Sequence, residues 1–308
     1  MSLQNIELGL INSVNFEIFF RRKWVMKFEE LLGGAGNVLN ITRSRITAIM
    51  TLILSVLALF ASLGGIFIES IYNDVLSAGT ITKFLLIGSM AQDIISIPLA
   101  LLLALLSVLF LKHPGYKAFI TIIGLTGYFF YGYGLYVMQG QYTSIYLIYL
   151  VIFSLSVYSM VFGLLSFTPE LIIKSSIPKA LRISISIFLY IIVLMLGLVW
   201  LLRITPDISR HIPQDTYGVF ILDLGIVFPA ITITATKFIR SKPFGNILAG
   251  VVLMKAFTVC LSWGFGELYG RLCGSIQGGY DMLVIPTVLT TISLVFFVLY
   301  IIKLKKVS

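Results

Sequence analysis

Apolar residues in this chain fall into eight long runs, each near the roughly 20 residues that a helix needs to cross about 30 Å of hydrocarbon. The runs cover 46–68, 85–111, 118–138, 144–167, 183–202, 217–236, 244–269 and 282–302. A helix satisfies its own backbone hydrogen bonds, which lipid cannot do. The pattern therefore predicts an all-α, polytopic membrane bundle of about eight transmembrane helices over 46–308, with the lipid bilayer as its surroundings.

Residues 1–45 are different. Phe16, Phe19, Phe20, Trp24 and Phe28 alternate with Arg21, Arg22, Lys23 and Lys27. Such a segment fits an amphipathic helix lying in the headgroup plane, or a loosely ordered cytoplasmic leader whose charges fix topology. It does not have the form of a signal peptide, because about forty polar and basic residues precede the first apolar run.

Composition agrees with the runs. Of 308 residues, 58% are hydrophobic and only 11% charged, with a mean hydropathy of +1.02. A soluble domain carries roughly 25% charged residues. The net charge of +9 is dispersed among membrane-flanking segments, which speaks against nucleic acid as a partner. The pair Cys260 and Cys273 makes neither a CxxC motif nor a disulfide framework, and His113 and His211 fall in loops. No metal, haem or other cofactor is expected.

Basic residues set an orientation. Counted over alternate connecting segments, Lys and Arg number 17 on the side of the two termini and 4 on the other, with Lys255 inside a span. The positive-inside rule then puts both termini in the cytoplasm, in the cell membrane.

The spans contain ionisable groups that are costly at membrane depth and mark sites or helix-locking pairs. Asp93 and Asp223 are 130 residues apart, as are Lys112 and Lys242, and Gly115 and Gly245, in the turns that follow. The offset predicts two parallel four-span repeats, 46–170 and 181–303, related by an axis along the membrane normal. Chance recurrence of generic turns is the alternative. At about 1.5 Å per residue, Asp93 sits roughly 12 Å and Asp223 roughly 9 Å inside the outer surface. Lys255, near mid-membrane, is within reach of both.

Two readings of this set compete. In one, Asp93, Gln92, Asp223 and Lys255 line a hydrated pocket in the extracytoplasmic half. In the other, Asp223 and Lys255 form an ion pair that joins helices. The second is preferred for Lys255, and a functional role for Asp93, which has Gln92 beside it. Tyr128 and Tyr131 on the third span and Tyr149 on the fourth lie deep enough to need hydrogen-bond partners, and are read as pocket lining. Tyr136 and Tyr142 fit an interfacial belt. Gly266, Gly270 and Gly274 permit either close helix approach or a turn.

Met90-Ala91-Gln92-Asp93, the tyrosine-rich third span and Asp223-Leu224 near Pro229 together resemble an uncharacterised family of prokaryotic multi-pass membrane proteins. The resemblance implies topology and no activity. Three functions follow from the residues themselves. One is a protein that binds or transports a small polar solute or cation. The second is an intramembrane enzyme acting with paired carboxylates on a lipid-like substrate, and the third a scaffold subunit. No nucleotide loop, HExxH or GxSxG is present to supply a mechanism.

Overall fold

The structure is a computed structural model that describes residues 39–274, 276 and 280–306. The amphipathic leader expected around Phe16 to Phe28 lies outside the described residues. Helices follow in the order α1 (Ile41–Phe67), α2 (Glu69–Ser77), α3 (Lys83–Lys112), α4 (Tyr116–Met138), α5 (Tyr146–Leu164) and α6 (Pro169–Lys174). Then come α7 (Lys179–Arg210), α8 (Tyr217–Leu222), a π-helical turn (Asp223–Val227), α9 (Phe228–Ile239), α10 (Pro243–Leu272) and α11 (Asp281–Lys303). With Tyr217–Ile239 taken as one span, eight helices among the described residues are long and apolar enough to cross a membrane. The protein is an all-α, multi-pass membrane bundle.

Helix ends follow local chemistry. α1 begins five residues before its apolar run because the Asn40 side chain accepts a hydrogen bond from the Arg43 N–H, at 3.0 Å. Thr82 caps α3 in the same way, through the Leu85 N–H. Pro243 opens α10, where a fixed φ suits the first helical turn. Two residues on, a β-carbon on Gly245 would lie 2.6 Å from the backbone of Phe238, so the α9–α10 hairpin is too tight for a side chain there.

Two helices form the centre. Within their most apolar windows 78% of α4 and 61% of α10 is buried, against 22–50% for the other six spans. α4 packs against α3, α5, α8 and α10, while α10 packs against α3, α4, α9 and α11. Their crossing depends on glycine. A β-carbon on Gly124 would lie 2.5 Å from Met254 Cβ, and one on Gly127 would lie 3.1 Å from Lys255 Cγ. The outer helices turn Phe60, Leu101, Val151 and Leu194 outward, as contact with lipid tails requires.

The glycines at the end of α10 serve a turn. The helix stops at Leu272, Gly274 has φ +67°, and Gly266 faces open space. At the end of the bundle where the described residues begin and end, the segment between α5 and α7 is tied to both ends of the described chain. Asn40 N–H donates to the Ser166 carbonyl at 2.8 Å, and Leu39 bridges Phe167. β1 (Ser175–Ser176) pairs antiparallel with β2 (Lys305–Lys306). We call the opposite end of the bundle distal.

Gly124→Val forces the two central helices apart and is expected to cost about 1–3 kcal/mol, the usual penalty of overpacking. Gly266→Ala, which meets open space inside α10, is expected to leave stability unchanged or to raise it by up to about 1 kcal/mol, since alanine favours the helix. Thermal unfolding in detergent micelles compares the two.

Candidate functional site

The two aspartates have separate surroundings. Asp93, on α3, is 1% exposed and accepts a hydrogen bond from the hydroxyl of Tyr72. Tyr72 belongs to α2, a short helix between the first two spans. On the other side the Tyr136 hydroxyl lies 3.2 Å from Asp93 Oδ1 and 3.0 Å from the Ser89 carbonyl, so one proton is shared between them. Gly65 makes room for this cluster, since a β-carbon there would collide with the Asp93 carboxylate and the Tyr72 ring. The Tyr149 ring packs against Tyr136 and Tyr133, at centroid distances of 5.0 and 5.7 Å. Tyr136 is thus a buried ligand of Asp93 rather than part of an interfacial belt, whereas Tyr142 is 67% exposed.

Asp223 faces a cavity of about 340 Å³ bounded by α3, α4, α7, α8, α9 and α10. The cavity runs from Lys255, Asp223 and Phe228 toward Gln139, Arg203 and Glu267 near the distal end. Of the residues singled out in the sequence, Gln92, Tyr128, Tyr131, Asp223 and Lys255 line it. Asp93 and Tyr149 do not.

Asp223 opens the π-helical turn, in which the Phe228 N–H reaches back five residues to the Asp223 carbonyl. Pro229 explains the widened turn. It has no N–H for the Gly225 carbonyl, and in a regular helix its ring would press on that carbonyl. One carboxylate oxygen, Oδ2, accepts from Trp200 Nε1 at 2.8 Å and from the Tyr131 hydroxyl at 3.3 Å. The other oxygen, Oδ1, accepts no hydrogen bond among the described residues.

Lys255 approaches from α10. Its stem passes over Gly127, and its ammonium sits 4.6 Å from the centre of the Tyr131 ring, a cation–π contact. Among the described residues, neither Asp223 nor Lys255 makes an ion pair at 4.0 Å or less. The direct pair preferred from the sequence is not formed. Tyr131 stands between the two charges, with its hydroxyl toward Asp223 and its face toward Lys255.

Gln92 completes the site from α3. The Tyr128 hydroxyl is 2.9 Å from Ser96 Oγ and 3.4 Å from the Gln92 carbonyl. The Gln92 side-chain amide nitrogen is buried without a partner, lying over Gly132. At the cavity mouth Arg271 pairs with Glu267 at 2.7 Å, and the Arg203 guanidinium lies 5.5 Å from the Trp200 ring. Among the described residues no group of three His, Cys, Asp or Glu side chains is placed to hold a metal ion.

Sequence reasoning missed Trp200 and Tyr72. Trp200 lies near the end of a span, where tryptophan ordinarily reads as an interfacial anchor. Tyr72 lies in a segment too short to register as a helix by hydrophobic period. Comparisons with protein-family models, with curated proteins and with solved structures find no match to this chain.

Tyr72→Phe removes a donor from a buried carboxylate and is expected to lower stability by about 1–3 kcal/mol. Tyr142→Phe, at an exposed position, serves as the control with no change. Parallel melting curves in one detergent measure the difference.

Proposed function

We propose that this membrane protein binds a small polar solute in the cavity between Asp223 and Lys255. One observation carries the reading: two opposite charges that form no ion pair, Asp223 and Lys255, line a single cavity together with the buried and unpartnered Gln92 amide nitrogen. Polar atoms withdrawn from water cost about 1–3 kcal/mol each when left unmade, so such a set persists where a solute or ordered water completes it. A scaffold would favour a closed Asp223–Lys255 contact.

Transport is the second reading, favoured by where the cavity lies. It sits where spans 1–4 meet spans 5–8, and binding sites of many transporters lie between such halves. Duplication is supported by the packing. In each half the third span, α4 or α10, is the central helix, and the second span carries the aspartate. Pro98 follows Asp93 by five residues and Pro229 follows Asp223 by six, a difference that the extra residue of the π turn absorbs. The excess of basic residues at the terminal end puts the distal end, and with it the cavity mouth, outside the cytoplasm. The reading with paired catalytic carboxylates draws no support from this geometry, because each aspartate is held by its own donors.

A ligand screen on the purified protein is expected to yield compounds that raise the melting temperature of the wild type but not of Asp223→Asn. At a hundredfold excess over Kd the gain is about 2.7 kcal/mol. Equal stabilisation of a folded Asp223→Asn variant refutes the assignment. Cys273, an exposed thiol beyond α10, is expected to react with a membrane-impermeant maleimide in intact cells. Reaction only after lysis reverses the orientation.

A further inference from the structure

The charges in the cavity narrow the chemistry of its occupant. Asp223 and Lys255 both face the space, and neither neutralises the other by direct contact. Tyr131 keeps them apart with a rigid ring: the carboxylate is at its hydroxyl, 3.3 Å away, and the ammonium is over its face, 4.6 Å from the centre. Each charge therefore has a free side. Asp223 offers Oδ1 as an acceptor, while Lys255 and the Gln92 amide offer donors.

A lone cation at Asp223 would bring a second positive charge near Lys255. A lone anion at Lys255 would face the Asp223 carboxylate in the same way. In surroundings of low polarity such like-charge placements are strongly unfavourable, and a neutral solute would leave both charges without an ionic partner. Only a solute with both charges completes both ends. Arg203 and Glu267, one charge of each sign, lie toward the distal end, and much of the remaining wall is apolar or aromatic, including Ile192, Leu196, Trp200, Phe220, Phe228 and Trp263.

Resting on the binding reading above, we infer that the cavity takes a zwitterion with an apolar body, its ammonium on Asp223 and its anionic group on Lys255 and Gln92. The same chemistry occurs in a free amino acid with a large apolar side chain and in an ethanolamine phospholipid headgroup.

Trp200 and Trp263 line the cavity and are two of the three tryptophans in the chain, so ligand entry is expected to change tryptophan fluorescence. The probes are L-phenylalanine and its two single-charge relatives, phenethylamine and hydrocinnamate, added to delipidated protein in maltoside micelles. A second arm compares short-chain phosphatidylethanolamine with phosphatidylglycerol. The expected result is that the zwitterion of at least one arm binds about tenfold or more tighter than its single-charge counterparts, tenfold being about 1.4 kcal/mol. Binding in the first arm assigns a soluble amino acid, and in the second arm alone a lipid headgroup. Asp223→Asn is expected to weaken the zwitterion and spare hydrocinnamate, and Lys255→Met to spare phenethylamine. The wild-type comparison decides the matter even where a variant fails to fold. A single-charge relative that binds as tightly as its zwitterion, and is lost in a folded Asp223→Asn or Lys255→Met variant, overturns the zwitterion while the binding site stands. No response to any probe, and no stabilising compound in the wider screen, overturns both.

Discussion

The close crossing of α4 and α10 is the constraint on which the site depends. Without a hydrophobic force between helices in lipid, association rests on packing and on small residues that let backbones approach. Gly124 admits Met254, and Gly127 admits the stem of Lys255. One helical turn beyond Gly127 on α4 is Tyr131, so the lysine that fits the glycine is delivered onto the tyrosine's face. Packing and electrostatics are here one arrangement, since the contact that holds the central helices together also aims the ammonium.

Asp223 is positioned by a different device. Its carboxylate lines the cavity and is fixed on one oxygen by donors from α4 and α7, Tyr131 and Trp200. Asp93 has both oxygens engaged by Tyr72 and Tyr136 and is sealed from the cavity. The two intramembrane carboxylates thus have opposite characters. The hydroxyls around Asp93 hold α2 against the bundle, while the asymmetric hydrogen bonding of Asp223 leaves capacity for a solute.

The spans were legible in the sequence because hydrocarbon thickness imposes a length on every apolar run, and seven of the eight runs differ from the helices by only a few residues at each end. The fifth differs most. α7 continues past residue 202 to Arg210, through Arg203 and Asp207, where apolarity gives no signal. The polar residues of the site were also legible, since depth alone marks Asp223, Lys255 and Gln92. What was not legible was who meets whom. Tyr131 between Asp223 and Lys255 is a matter of helix rotation, which periodicity weakly constrains in spans that are apolar on most faces. For the same reason Asp93 looked the freer aspartate: its partner Tyr72 comes from a helix of nine residues, below the length at which a pattern is visible.

The π-helical turn gives the sixth span a change of phase. An α-helix advances about 100° per residue, and one additional residue within a turn rotates everything before it relative to everything after it. Tyr217–Leu222 and Phe228–Ile239 are therefore two helices sharing an axis but indexed differently. A span has a fixed length to cross and no freedom to choose which side chains face a neighbour independently at its two ends. The widened turn supplies that freedom. Asp223 stands at the joint between a segment packed on α4 and a segment packed on α7 and α10.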